Sequence, residues 1–126
     1  MKKPRIQHVS IPRPPGSHAA TRAFYGDLLG LEEKAVPQTI QDLDLIWFNV
    51  GDDMELHVFT EEPLEDRSGR HFCLEVDDVE AMRHRLIEAG FEPWTPIGIV
   101  NRPRFFCRDP FGNTIEFTTI LGSYEA

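Results

Sequence analysis

The chain has 126 residues and is 40% hydrophobic, which allows one compact domain with its own core but not two independent domains. Its 13 Lys and Arg side chains and 21 Asp and Glu side chains give a formal net charge of −8. That charge repels phosphate backbones and anionic lipid headgroups, so we expect neither nucleic acid nor a membrane as a partner. The basic start MKKPR is not followed by a continuous apolar run, and we expect a cytoplasmic protein.

The first half of the chain predicts the order β-α-β-β-β. Residues 5–11 alternate as a strand does, with His8 and Ser10 on one face. After the break PRPPG, Ser17 is the expected N-cap of an amphipathic helix that ends at Gly30. Three further strands are predicted in regions rich in β-formers, namely LEEKAV, LDLIWFNV and MELHVFT, with GDD as the turn between the last two.

The second half repeats this order. The strand RHFCLEV comes first, and a helix follows that opens at Asp77 or Asp78 and closes at Gly90. Three segments then parallel the last three strands of the first half, namely FEPWTP, RPRFFCR and TIEFTTI, with DPFGN as the turn.

The repeat sets the predicted domain organisation. Module one spans about residues 5–60 and module two about residues 70–121. Residues 61–69 have the charged, turn-forming composition of a surface linker. Because the chain is too short for two independent cores, we expect one domain over residues 1–126.

Overlaying the two modules brings four polar strand positions into equivalence. His8 falls on His71, and His57 falls on Glu116. Each of these residues alone fits an ordinary polar position on a strand. Together they are side chains that bind first-row divalent metals, placed by an internal twofold, and this favours a metal site. The remaining histidines, His18 and His84, are expected at the surface.

Four segments carry a resemblance to a known family. FYGDLLGLE, HFCLEVDDVEAM, LIEAGFEP and above all RDPFGNTIEF resemble the vicinal oxygen chelate (VOC) superfamily, the glyoxalase, bleomycin-resistance and dioxygenase group. The resemblance covers nearly the whole chain and implies an α+β fold in which two βαβββ modules form a cupped mixed β-sheet. It also implies metal ligands on the first and fourth strands of each module. In this chain those positions are His8, His57, His71 and Glu116.

One of these positions has a rival. Glu55 lies two residues before His57, so both side chains share a face of the strand, and a shift in register would exchange them.

The resemblance implies a class of function rather than one reaction. We expect an enzyme that depends on a divalent metal, with Fe, Mn, Ni, Zn and Co all compatible, and that acts on a small molecule with vicinal oxygens. It would be a glyoxalase-like lyase or isomerase or an extradiol-type dioxygenase. His8, His71 and Glu116 would hold the ion. His57 would complete the ligand shell or act as general acid or base, so that His57 and Glu116 are the expected catalytic residues.

Several alternatives stay open. A metal-free binding protein of the bleomycin-resistance type would suit the net charge of −8 if its small-molecule ligand were cationic. The resemblance also implies a homodimer, in which the ligands of one site come from one chain or from two. Arg102 and Arg104 are either anion contacts or plain surface charges. Six aromatic residues line the cup or belong to the core: Trp47, Phe48, Phe59, Trp94, Phe105 and Phe106.

Overall fold

The structure is a computed structural model that describes residues 1–62 and 68–124. The chain divides into two units, Met1–Leu64 and Glu65–Ala126, and each unit has its own sheet. Of the predicted linker, residues 63–67 lie outside the described residues. Among the residues described, no helix has both the length and the apolar character needed to cross a membrane.

The first unit forms a four-stranded sheet in the order β1-β4-β3-β2, in which β1 runs parallel to β4 and the other neighbours are antiparallel. Its elements are β1 (His8–Arg13), α1 (His18–Thr21) with a π-helical continuation (Arg22–Leu28), β2 (Glu32–Lys34), a 3₁₀ helix (Gln38–Leu43), β3 (Ile46–Val50) and β4 (Met54–Thr60).

The second unit repeats the arrangement with a three-stranded sheet in the order β5-β7-β6. Strand β5 runs parallel to β7, and β6 is antiparallel to β7. Its elements are β5 (Phe72–Glu75), α2 (Val79–Glu88), β6 (Arg104–Arg108) and β7 (Thr114–Thr118). An isolated bridge joins Trp94 to Phe106 on β6, where the first unit has β2 beside β3.

Each sheet has one apolar and one mainly polar face, because successive side chains on a strand point to opposite sides. In the first unit the apolar face is buried together with the helix residues Phe24 and Tyr25, and the Tyr25 ring lies 5.9 Å from that of Phe48. In the second unit Leu86 of α2 is likewise buried. The buried apolar strand residues are Ile11, Ile46, Phe48, Leu56 and Val58 in the first sheet and Phe105, Cys107, Ile115 and Phe117 in the second.

The α+β fold with two related modules is confirmed, and three local predictions were wrong. Strand β1 continues through Pro12 to Arg13 instead of stopping at residue 11. A proline is tolerated there because β1 is the terminal strand of its sheet. Ser17 precedes α1 but makes no capping bond, since its hydroxyl donates to the Pro14 carbonyl at 2.5 Å. The segment FEPWTP forms the single Trp94 bridge rather than a strand.

Candidate functional site

The strand register agrees with the overlay of the two modules. In the first unit His57 on β4 pairs with Ser10 on β1, two residues after His8. In the second unit Glu116 on β7 pairs with Cys73 on β5, two residues after His71. His57 and Glu116 therefore occupy equivalent places on the polar faces of their sheets.

His57 belongs to a short chain of polar contacts in the first unit. Its Nε2 lies 2.9 Å from Oε1 of Glu55, and the other Glu55 oxygen accepts a hydrogen bond from Lys34 Nζ at 2.6 Å. The Lys34 ammonium and then the His57 ring lower the pKa of Glu55 from 4.5 to about 2, because both donate to its charged form. Since the ionised carboxylate only accepts, Nε2 of His57 carries a proton.

Aromatic rings hold His57 from both sides. The Trp47 ring stacks on it with centroids 3.7 Å apart and planes 3° apart, and the His8 ring stacks at 4.0 Å and 18°. His8 is exposed, and its Nδ1 lies 2.8 Å from Oε1 of Gln7. The His57 side chain is only 12% exposed, so its ring plane is fixed by its neighbours.

The second unit brings His71 and Glu116 together. His71 Nε2 lies 3.0 Å from Oε1 of Glu116, and the carboxylate is only 14% exposed. The Nδ1 atom of His71 lies 2.8 Å from the carbonyl oxygen of Gly69. A carbonyl only accepts, so Nδ1 carries a proton, and Nε2 either donates a second proton to Glu116 or presents a lone pair to a ligand.

Arg104 is part of this pair rather than a plain surface charge. Its Nη1 donates to Oε2 of Glu116 at 3.4 Å and its Nη2 donates to the Ile97 carbonyl at 2.8 Å. The side chain is only 14% exposed. Arg102, by contrast, lies over the Tyr124 ring and donates to the Gly122 carbonyl, away from Glu116.

The aromatic candidates separate into core and polar-face residues. Phe48 and Phe105 are fully buried in the apolar faces. Trp47 pairs in register with His57, and Phe106 pairs with Glu116, so each fourth-strand candidate has an aromatic neighbour on the same face. The Phe106 ring meets the His71 ring edge to face at 4.8 Å.

The sequence candidates thus form two groups. His8 and His57 lie together with Glu55 in the first unit, and His71 and Glu116 lie together in the second. Over residues 1–62 and 68–124, no three His, Cys, Asp or Glu side chains are grouped so that they could hold a metal ion. Lys34 was not predicted from the sequence as a site residue. It lies on β2 at the position that pairs with Trp47.

Known proteins share this architecture. The sequence profile of the Glyoxalase/Bleomycin resistance protein/Dioxygenase superfamily matches residues 5–117. The chain belongs to this superfamily. The VOC resemblance inferred from the sequence segments is therefore confirmed.

Solved structures that resemble this chain cover almost all of it. A protein from Bacillus anthracis assigned to the glyoxalase family is 30% identical, with 95% of this chain and 98% of that chain covered and a TM-score of 0.85. A genomically encoded fosfomycin resistance protein from Listeria monocytogenes is 15% identical, with 98% of this chain and 95% of that chain covered and a TM-score of 0.78. A lactoylglutathione lyase from Agrobacterium tumefaciens is 24% identical, with 94% of this chain and 96% of that chain covered and a TM-score of 0.68. The last two show a shared fold alone, and no curated protein sequence matches the chain.

Proposed function

We propose that this VOC protein is a divalent-metal-dependent enzyme that acts on a small molecule with vicinal oxygens. The observation that supports it best is the His71–Glu116 pair, in which an imidazole nitrogen and a carboxylate oxygen lie 3.0 Å apart on the polar face of the second sheet. Imidazole and carboxylate are the side chains that first-row divalent metals prefer outside thiolate sites.

The geometry of the pair suits a metal ion. Two donors that bind one octahedral ion at about 2.1 Å and at a right angle lie about 3 Å apart, and the pair has this separation as a hydrogen bond. Metal-binding histidines usually donate their other ring N–H to a carboxylate or a backbone carbonyl, as His71 does to Gly69. The Nε2 atom of His71 would then exchange a proton shared with Glu116 for a metal bond.

His71 and Glu116 would hold the ion, and His8 and His57 are the further ligands that the superfamily resemblance implies. A divalent ion with open positions supplies a Lewis acid that stabilises negative charge on a substrate oxygen. Arg104 would keep the Glu116 carboxylate in place and offset its charge.

His57 has a second role available to it when it does not bind the ion. Glu55 holds its Nε2 proton, so Nδ1 would accept a proton from substrate and return it. Imidazole is the side chain best suited to proton exchange near neutral pH. This arrangement favours the proton-transfer reactions of a glyoxalase-like lyase or isomerase over dioxygenation.

The Glu116 carboxylate also supports a second candidate function. Arg104 offsets its charge without any ion, and His71 also contacts it. A metal-free small-molecule binding protein of the bleomycin-resistance type is therefore the alternative.

Metal content tests the proposal. Elemental mass spectrometry on protein purified without a histidine tag should find about one ion per chain, and the Glu116→Gln variant should lose it. The matched control is Glu88→Gln, since His84 and Glu88 form a pair with the same 3.0 Å separation but on the exposed surface of α2. The control should keep its metal. If reconstitution with Fe, Mn, Ni, Zn and Co in turn leaves the folded wild-type protein without metal, the enzyme proposal is wrong and the binding protein takes its place.

A further inference from the structure

A cavity opens beside the polar face of the second sheet. Its volume is about 470 Å³, within the usual range for small-molecule sites. It lies between the end of α2 and the turn that follows β6. Its lining consists of Gly90, Phe91, Glu92, Trp94, Arg108 and Asp109.

Arg108 supplies the positive charge of this cavity. Its guanidinium carbon lies 5.6 Å from the centre of the Trp94 ring, and within residues 1–62 and 68–124 no carboxylate pairs with it. The Asp109 carboxylate is already satisfied, since it accepts from the backbone N–H groups of Phe111 at 2.9 Å and Asn113 at 2.8 Å and from the Asn113 side chain at 2.8 Å. Glu92 and Arg108 are both exposed, so water screens both charges.

Trp94 presents a rigid aromatic surface to the cavity. Its backbone N–H donates to the Phe106 carbonyl at 2.8 Å and its carbonyl accepts from the Phe106 N–H at 2.9 Å, so the residue is fixed to β6. The residue is nevertheless 41% exposed. Its indole contacts the Phe106 ring and the Arg108 guanidinium, and the exposed part of the ring offers a stacking surface for a planar ligand.

A row of rings connects the cavity with the proposed metal-binding pair. The Trp94 and Phe106 rings stack with centroids 5.6 Å apart, and the Phe106 ring meets the His71 ring at 4.8 Å. Phe106 also pairs in register with Glu116. Phe106 therefore links Trp94 at the cavity to the His71–Glu116 pair.

We propose that this cavity binds an aromatic, negatively charged part of the substrate, with the ring against Trp94 and the anionic group at Arg108. The substrate class is then a planar aromatic acid. This inference rests on the proposed function only in making the cavity a subsite of the His71–Glu116 site. The binding itself needs neither the metal nor Glu116.

The indole N–H resonance of Trp94 reports on the cavity directly. The chain has two tryptophans, so Trp47→Phe leaves one indole signal, and the titration is carried out in that background with a chelator present. Benzoate should shift the signal saturably, with a dissociation constant on the order of 1 mM, as expected for so small a ligand. Cyclohexanecarboxylate lacks the ring face and benzylamine has the opposite charge, so both should bind at least about fivefold more weakly.

Two arginine variants test the role of the charge. Arg108→Met should weaken benzoate binding by about tenfold, the loss expected when one charge-assisted contact is removed. Arg108→Lys should retain part of the affinity. Arg102→Met is the matched control, because Arg102 also lies over an aromatic ring, that of Tyr124 at 4.2 Å, but outside the cavity. It should leave benzoate binding unchanged.

The outcomes separate this inference from the proposed function. Glu116→Gln should lose metal yet bind benzoate as the wild-type protein does, whereas Arg108→Met should lose benzoate binding and keep metal. The inference is overturned if the Trp94 signal stays unmoved up to about 50 mM benzoate. It is also overturned if Arg108→Met binds benzoate normally, or if benzylamine binds more tightly than benzoate.

Discussion

Among the residues that the structure describes, Arg13 has the largest fully buried side chain, and it carries a charge. Its guanidinium donates to the Asp44 carbonyl at 2.8 Å and lies 3.0 Å from the Asp44 carboxylate. His18 adds a contact to the same carboxylate at 2.6 Å. A buried charge is tolerated only when it is paired and hydrogen-bonded, so this cluster is a structural requirement at the end of β1.

The Asp44 carboxylate should make the stability of the protein depend on pH. Its hydrogen bond with His18, together with the nearby Arg13 charge, lowers its pKa below the usual 3.8. A lowered folded-state pKa means that the contribution is fully present above the usual value and is lost as pH falls through the lowered value. Asp44→Asn should therefore destabilise the protein at pH 5–7, and the difference from wild type should shrink below pH 3.8.

Urea unfolding of both proteins at several pH values measures this difference. Asparagine suits the test because Asp44 has a left-handed backbone with φ of 56°, which Asn also adopts readily. Asp53→Asn, which removes an exposed partner of Arg5, should show no comparable effect. A difference at Asp44 that stays constant down to the lowest pH would contradict the argument.

Sequence alone identified the candidate residues but not their partners. His8, His57, His71 and Glu116 stand out because the repeat places them at equivalent positions. Their partners have no such signal. Lys34 and Arg104 are ordinary charged residues in the sequence, and only the pairing of β2 with β3 and of β6 with β7 places them on the faces that carry His57 and Glu116.

At the scale of the elements, α2 depends on one capping residue. The Asp78 carboxylate accepts hydrogen bonds from the backbone N–H groups of Glu80 and Ala81, both at 3.1 Å. The sequence left Asp77 and Asp78 as equal candidates for this position. Asp78→Ala should reduce the free energy of unfolding by about 1 kcal/mol, because two N–H groups at the helix start lose their acceptor.

Asp77→Ala is the matched control for the cap. Asp77 makes no capping bond to α2, and its removal should change the free energy of unfolding by less than about 0.5 kcal/mol. Denaturant unfolding compares the free energies of the two variants, provided that both have the same m-value, the slope of free energy against denaturant concentration. Equal losses would mean that the negative charge near the helix start, rather than the hydrogen bonds of Asp78, stabilises α2.

The elements that sequence predicted well have local signals, and those that it missed are set by packing. Strand β4 has the predicted bounds, residues 54–60, because a turn precedes its alternating pattern. The glycines predicted to end the two helices also have the expected left-handed backbone, with φ of 78° at Gly30 and 93° at Gly90.

The π-helical stretch Arg22–Leu28 has no comparable signal, since it follows from burying both Phe24 and Tyr25. Pro93 and Pro96 keep FEPWTP from becoming a strand, because proline donates no ladder hydrogen bond.

At the scale of the whole molecule, each unit is small for an independent fold. The units have 64 and 62 residues, and each has a single sheet with only one strongly apolar face. Domains of about 60 residues bury only about 60% of the surface that their unfolded chains expose, and they are marginally stable alone. Association of chains is one way in which such a protein gains stability.

We therefore expect a homodimer whose stability depends on protein concentration. Sedimentation should give a mass of twice 14.5 kDa, that is 29 kDa. The midpoint of thermal unfolding should rise as the protein concentration is raised, because dissociation and unfolding are then coupled by mass action. Scans over a hundredfold range of concentration, without added metal, separate this effect from stabilisation by a bound ion. A species of 14.5 kDa whose midpoint is independent of concentration would show that one chain is sufficient.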